Sequence, residues 1–357
     1  MIDTRAPVEY EKGSLPTAVN LPSMDDAERQ AVGRCYTEQG PKAAVALGHE
    51  LVAGDVRQTR LEAWRNFVRA NPKGALFCFR GGLRSELVQQ WLADAGVDYP
   101  RIAGGYKAMR RWLMTSTEHI CAGQSFLLVA GKTGCAKTRL INQGFAGSVF
   151  PGAVDLEGLA NHRGSSFGRR LGGQPSQIGF ELRLDIALFR AAQQAPPHIL
   201  LEDESRLIGR CALPTILQAR MKTAPLVIVE ASLEERIHHS FENYILANLA
   251  DLIAQHSDDS KALSLFADDL RDALARIAKR LGGARYRHLS GVLEQALLEH
   301  AKGDPSLHRV WIEILLRDYY DPMYSYQLKN RQSPILFQGS EQQVGEFLQQ
   351  HHAAFNP

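Results

Sequence analysis

Two stretches of the chain carry residues whose types and spacing fit anion chemistry. In Cys78-Phe79-Arg80-Gly81-Gly82-Leu83-Arg84-Ser85 a thiol follows the apolar run Ala75-Leu76-Phe77 and precedes two glycines and two arginines. Glycines let successive backbone N–H groups converge into a nest that holds an anion. Arg80, Arg84 and the N-terminus of a helix opening near Ser85 all favour a thiolate. A Cys-x5-Arg loop at a strand end suits covalent catalysis on an oxyanion, or a persulfide-type carrier. The structural alternative is a buried free cysteine, a common core residue.

The second stretch, Gly131-Lys132-Thr133-Gly134-Cys135-Ala136-Lys137-Thr138, comes close to the phosphate-binding pattern G-x-x-x-x-G-K-[ST]. The N–H groups of Gly131 to Ala136 would surround a phosphate, Lys137 would neutralise it, and the Thr138 hydroxyl would face a metal ion such as Mg²⁺. Ala136 replaces the second glycine of the pattern, and alanine there is expected to need a negative φ. The alternative is a glycine-rich turn with an incidental lysine.

Other candidates are weaker. Asp203 closes the run Ile199-Leu200-Leu201-Glu202-Asp203 and either reaches a metal through water or serves as a solvated helix cap. Which metal, if any, the sequence leaves open. The segment Asp155 to Gly168 is dense in Gly, Ser, Asn, His and Arg; Asp155, Asn161, His162, Arg163 and Ser165 suit a substrate loop and equally a surface loop. Arg271 to Arg287 holds six Lys/Arg against one Asp. A face of that kind contacts phosphate backbones, although most such faces are only solvated. Tyr319, Tyr320, Tyr324 and Tyr326 could stack on bases or pack the C-terminal region.

The elements that must position these residues follow from periodicity. Up to residue 114 the chain reads as short α/β units: a helix over Thr59 to Ala70, a buried strand over Ala75 to Phe79, and helices over Glu86 to Ala95 and Tyr106 to Met114. The period predicts a small doubly wound domain. Only two residues precede Asp3-Thr4-Arg5, so its first strand is expected to be truncated, a shortened edge. Residues 115–231 contain the apolar runs Phe126 to Ala130, His198 to Asp203 and Leu226 to Glu230, which predict a parallel α/β sheet with the phosphate loop after its first strand. Residues 232–357 read as a mainly helical C-terminal region, a candidate for nucleic-acid contact.

The 357 residues are 45% hydrophobic and 22% charged, with a net charge of +2. This is ordinary globular usage, and any nucleic-acid contact must come from a local basic patch. Cys35, Cys78, Cys121, Cys135 and Cys211 are widely spaced with no C-x-x-C pair, which argues against a disulfide framework or a zinc site. No secretory signal or membrane span is read, so a cytoplasmic location is expected.

Asp3, Arg5, Pro7, Glu9, Tyr10, Gly13, Leu15, Pro16, Ala18, Asn20 and Pro22, with the Gly104-Gly105 turn, resemble the signature of rhodanese-like domains. That resemblance implies a sulfur carrier with Cys78 in the persulfide-forming position. The loop is longer than in common rhodaneses and resembles the Cys-x5-Arg loop of dual-specificity phosphatases, which suits a bulkier anion.

Taken whole, the chain resembles the tRNA 2-selenouridine synthase family. The resemblance is carried by Cys78 to Ser85, Gly131 to Thr138, Asp155 to Gly168, and Glu202-Asp203-Glu204-Ser205-Arg206-Leu207-Ile208-Gly209. It implies a transferase that uses no tightly bound cofactor and acts on tRNA carrying wobble 2-thiouridine. Geranyl diphosphate would first alkylate the sulfur; selenophosphate, supplied by a selenophosphate synthetase, would then replace the geranylthio group with selenium. The phosphate loop would hold the departing diphosphate, and Cys78 would serve the selenium step, either as a covalent carrier or by guiding selenophosphate in the Arg80/Arg84 nest. Two alternatives remain at this level: a rhodanese-type sulfurtransferase fused to a P-loop kinase-like domain, and a non-catalytic tRNA-binding protein. The sequence leaves the tRNAs used and the oligomeric state open.

Overall fold

The computed structural model describes residues 1–256 and 258–353. It divides into two compact units, one made of Met1–Thr117 and Ser176–Ile186, the other of the remaining described chain.

The first unit is built on a parallel sheet of three strands, β1 (Ile2–Asp3), β2 (Val19–Asn20) and β3 (Leu76–Phe77), in the order β2-β1-β3. The strand expected as a shortened edge is short but central, with Ile2 opposite both Val19 and Leu76. A buried ionic network fixes it. The Asp3 carboxylate accepts from Arg5 Nη2 at 2.6 Å and from Ser14 Oγ at 2.6 Å, while the Arg5 guanidinium lies 3.9 Å from the Tyr106 ring. Helices Asp26–Gln39, Pro41–Leu51, Gly54–Ala70, Leu83–Asp94 and Gly105–Gly123 surround the sheet. Ile2, Trp64, Leu76, Val88 and Leu92, all 0% exposed, form the centre of one core cluster. The returning segment brings Leu182 against Leu15, Phe77, Tyr106 and Leu113. The predicted strand over Ala75 to Phe79 stops at Phe77 because the next carbonyls bond elsewhere: Cys78 O accepts from Tyr106 N and Phe79 O from Lys107 N, both at 2.9 Å.

The second unit centres on five parallel strands. These are β4 (Phe126–Ala130), β5 (Ala153–Val154), β6 (Ile199–Glu202), β9 (Leu226–Glu230) and β10 (Ile335–Ser340), ordered β10-β9-β4-β6-β5. A small hairpin of β7 (Leu207–Ile208) and β8 (Cys211–Ala212) lies between β6 and β9 in sequence. Every residue of β4 and β6 is buried, as expected of central parallel strands covered on both faces.

The helical region beginning at Leu233 does not run to the terminus. β10 joins the edge of the sheet beside β9, and the helix Glu341–Ala353 packs Val344 and Leu348 against Leu127, Val129 and Leu140. The helices from Leu233 to Lys329 are therefore an insertion between β9 and β10, with their own core around Phe266, Leu270, Ile277, Leu293 and Trp311. β10 is hard to read from the sequence because, as an edge strand, most of its residues are exposed and its apolar run, Ile335-Leu336-Phe337, is only three residues long before Gln338-Gly339-Ser340. Among the described residues no helix is long and apolar enough to cross a membrane.

Candidate active site

In the second unit β4 delivers the chain into the Gly131 to Thr138 loop, and a helix begins at Lys137. Two glycines are dictated by contact. A Cβ on Gly131 would stand 2.5 Å from Val229 O, and one on Gly134 would stand 2.8 Å from Arg236 O. Ala136 contradicts its expectation: it sits in the left-handed region at φ 59°, ψ 26°. The loop closes by a positive φ at the position where the pattern has glycine, and alanine adopts it at a cost of about 1–2 kcal/mol.

The inserted helices hold the outer side of this loop. Arg236 Nε donates to Thr133 O at 2.8 Å, His239 Nδ1 lies 3.0 Å from Gly134 O, and Lys132 pairs with Asp321 at 3.2 Å. Lys137 Nζ donates back across the loop to Gly131 O at 2.8 Å.

The loop opens on a cavity of about 1080 Å³ whose lining includes Lys137, Glu157, Arg163, Glu204, Tyr244 and Tyr324. Two turns of π-helix, Glu242–Leu246 and Leu316–Tyr320, interrupt the inserted helices and contribute Tyr244 and Tyr320 to the same wall. Such bulges re-aim side chains at functional sites.

Thr138 Oγ1 donates to Glu157 Oε2 at 3.2 Å. Burial raises the Glu157 carboxyl above its ordinary range, with Lys137 opposing the shift. Glu204 is pushed up to about 8 by burial and then by the Glu157 charge. Glu157 and Glu204 thus face the Gly131 to Thr138 loop, with the buried Glu202 accepting from Glu157 N at 3.0 Å; none of the three is among the site residues expected from the sequence. Asp203 also lines the cavity, but its carboxylate is bound by Arg331.

The Asp155 to Gly168 segment divides its roles. Asp155 caps the helix Leu156–Leu159 by accepting from Gly158 N at 2.7 Å and also accepts from Asn142. Asn161, at φ 47°, donates to the carbonyls of Leu171 and Gly173. His162 is buried and driven down to about 4, first by burial and then by surrounding arginines. Arg163 and Ser165 reach the cavity.

The basic face of the helix Asp259–Leu281 does not act as one surface. Arg271 pairs with Glu294 at 2.7 Å, and Arg280 is held above its usual value by Tyr319. Arg276 instead donates to Ser166 O at 2.8 Å. Of the tyrosines, Tyr320, Tyr324 and Tyr326 line the cavity, while Tyr319 packs edge-on against Tyr320.

In the first unit Cys78 is buried, with Sγ 3.1 Å from Ser85 Oγ, which also donates to Gly82 O at 2.9 Å. Gly81 is at φ 67°. A Cβ on Gly105 would lie 2.2 Å from Cys78 O and 2.4 Å from Gly81 N, so the Gly104-Gly105 turn backs directly onto the loop. Arg80 is exposed at its rim and Leu83 is 46% exposed. Arg84 is committed to Glu9, Nη1 to Oε2 at 2.6 Å. Its guanidinium is held above the usual value: burial opposes this, and the Glu9 hydrogen bond and charge outweigh it. Arg101, overlooked in the sequence because it lies beyond the motif, donates to Gly81 O.

The family model described as "tRNA 2-selenouridine synthase AAA domain" matches residues 124–355. A tRNA 2-selenouridine synthase from Hahella chejuensis is 54% identical over 349 residues, covering 98% of this chain and 90% of the relative. Its counterpart from Marinobacter nauticus is 51% identical over 348 residues, covering 97% and 93%. That from Pseudomonas fluorescens is 48% identical over 351 residues, covering 98% and 94%. With the second unit matched over its sheet and inserted helices, and relatives aligned over nearly its whole length, the chain belongs to the tRNA 2-selenouridine synthase family.

Proposed function

We propose that the protein is a tRNA-modifying transferase that replaces the sulfur of wobble 2-thiouridine with selenium in two steps. In the first, the sulfur attacks C1 of geranyl diphosphate, an S–C bond forms, the C–O bond to diphosphate breaks, and the proton on the base nitrogen is lost. In the second, the selenium of selenophosphate bonds to C2 of the base, the C2–S bond breaks with geranylthiol leaving, and hydrolysis of the Se–P bond releases phosphate. The observation that carries this reading is the size and lining of the phosphate-loop cavity. At about 1080 Å³ it exceeds the needs of a diphosphate, and the half-buried Tyr324 and exposed Tyr326 in its wall offer flat faces of the kind on which bases stack.

Within that reading the loop N–H groups and Lys137 offset the charge that develops on the departing diphosphate, an interaction stronger in the transition state than in the ground state. Thr138 and Glu157 supply the oxygen donors that Mg²⁺ prefers while it keeps several waters; bound there, the ion would further neutralise the leaving group.

The first unit is read as the rhodanese-like half, with selenophosphate as the anion for the Cys78 to Ser85 nest. Cys78 serves the selenium step as covalent carrier or as guide, and selenophosphate synthetase supplies the donor.

The test is mass spectrometry of nucleosides after incubation with 2-thiouridine tRNA, geranyl diphosphate and selenophosphate, with and without the last. The reading expects an S-geranyl nucleoside without selenophosphate and 2-selenouridine with it. Absence of both products overturns it.

A further inference from the structure

Four arginines gather around the buried His162. The isolated antiparallel bridge of His162 with Arg169, reinforced by Arg163 N donating to Gly168 O at 2.8 Å, brings Arg163, Arg169 and Arg170 together on one short loop. Arg276 arrives from the helix Asp259–Leu281 and binds this loop through Ser166 O. Their proximity is visible in His162, whose ring is held neutral by burial and then by Arg276, Arg169, Arg170 and Arg163.

The positive charge is poorly matched. Among the described residues only Arg169 has a carboxylate within ion-pair distance, Asp269 at 3.4 Å. Arg163 donates to the neutral Asn248 at 2.5 Å, with Glu157 and Asp251 acting on it only at longer range; Asp269 and then Asp272 act likewise on Arg276, and Glu157 on Arg170. Burial and then a neighbouring arginine lower the guanidinium of both Arg163 and Arg276. Arg170 Nε is buried without a hydrogen-bond partner among the described residues. A buried guanidinium N–H without an acceptor costs free energy that a bound anion would recover. Arg163 and Arg170 also line the cavity onto which Lys137 opens.

We propose that Arg163, Arg170 and Arg276 form an anchor for the phosphodiester backbone of the RNA substrate at the wall of the cavity that receives the base, made of residues other than the loop and Lys137 read as holding the diphosphate. The inference rests on the reading of the substrate as tRNA. It goes further by naming where the backbone is gripped. The diphosphate already has its own nest and Lys137, whereas a nucleotide inserted into the cavity carries flanking phosphates that must lie at its rim. Arginine suits them because its planar fork makes paired hydrogen bonds to phosphate oxygens.

The experiment titrates the full-length protein with a fluorescein-labelled anticodon stem-loop RNA at several salt concentrations, and in parallel with inorganic pyrophosphate. The double variant Arg170→Ala/Arg276→Ala is expected to bind the RNA roughly tenfold or more weakly, and its salt slope to be shallower by about 1.4, at ~0.7 per single-strand phosphate released. Pyrophosphate affinity is expected to stay unchanged, which also reports that the variant is folded. Arg170→Lys should regain part of the RNA affinity, and Arg271→Ala, whose arginine is already paired with Glu294, should leave it intact.

Unchanged RNA affinity and salt slope in the double variant overturn the anchor, as does a loss of pyrophosphate affinity in place of RNA affinity. If the wild-type protein binds RNA through these arginines but yields no modified nucleoside, the anchor stands and the two-step chemistry falls.

Discussion

Arg236 Nη2 lies 2.5 Å from Asp321 Oδ1 while its Nε donates to Thr133 O at 2.8 Å. One buried guanidinium thereby ties two inserted helices to the Thr133 carbonyl of the Gly131 to Thr138 loop. With the Arg236 side chain 3% exposed, its removal leaves the Thr133 carbonyl without this donor and Asp321 with Lys132 as its remaining cation. Arg236→Met is expected to destabilise the second unit by about 1–3 kcal/mol and to weaken pyrophosphate binding. Urea unfolding and pyrophosphate titration measure the two effects, and a variant as stable as wild type contradicts the coupling.

Ala136 stores strain in the same loop. Ala136→Gly keeps the left-handed conformation without the Cβ clash. It is expected to gain up to about 1 kcal/mol, since the added entropy of glycine in the unfolded chain cancels part of the relief. The midpoint of chemical unfolding should rise. A fall would show that the positive φ at this residue is not held in solution.

The two proposed steps separate by mutation. Lys137→Ala should lower S-geranyl nucleoside formation by roughly 10²–10³-fold, the usual scale for losing one preorganised stabiliser of developing charge. Cys78→Ala should accumulate the geranylated nucleoside with little 2-selenouridine. Liquid chromatography with mass detection reads both, and identical product patterns from the two variants contradict the division.

Glu204 gives the fold a pH dependence. Its carboxyl is raised from 4.5 to about 8 in the folded chain, by burial and then by Glu157. Between those values the folded state keeps a proton that the unfolded state has lost, so stability falls as pH rises through this window and levels off above it. Glu204→Gln should remove that decline, so that its advantage in Tm over wild type is larger at pH 8 than at pH 5. A constant difference between the two pH values would show that Glu204 is not held protonated.

Much of this was legible in the residues. β4 and β9 lie where their apolar runs predict, because a strand covered on both faces must be apolar throughout. The helix Gly54–Ala70 follows the spacing of Leu61, Trp64, Phe67 and Val68. The glycines of both loops are readable because a missing Cβ is a local demand: Gly105 against Cys78 O and Gly131 against Val229 O leave no room for one.

Tertiary structure decided what depends on distant partners. An edge strand such as β10 is less covered than a central one, and its apolar run is only the three residues Ile335-Leu336-Phe337. Its pairing beside β9 turned an expected terminal region into an insertion. Asp203 and Glu204 are adjacent in sequence, yet one is bound by Arg331 and the other faces Glu157 and Lys137. Arg84, expected to charge the thiol loop, is bound by Glu9, and Arg276 left its basic helix face to join Arg163 and Arg170. The sequence by itself determined which segments form strands and cradles, since burial and backbone freedom are written residue by residue. Only the tertiary structure decided which charges remain free to meet a substrate, because a charged side chain is assigned its role by the partner that folding brings within reach.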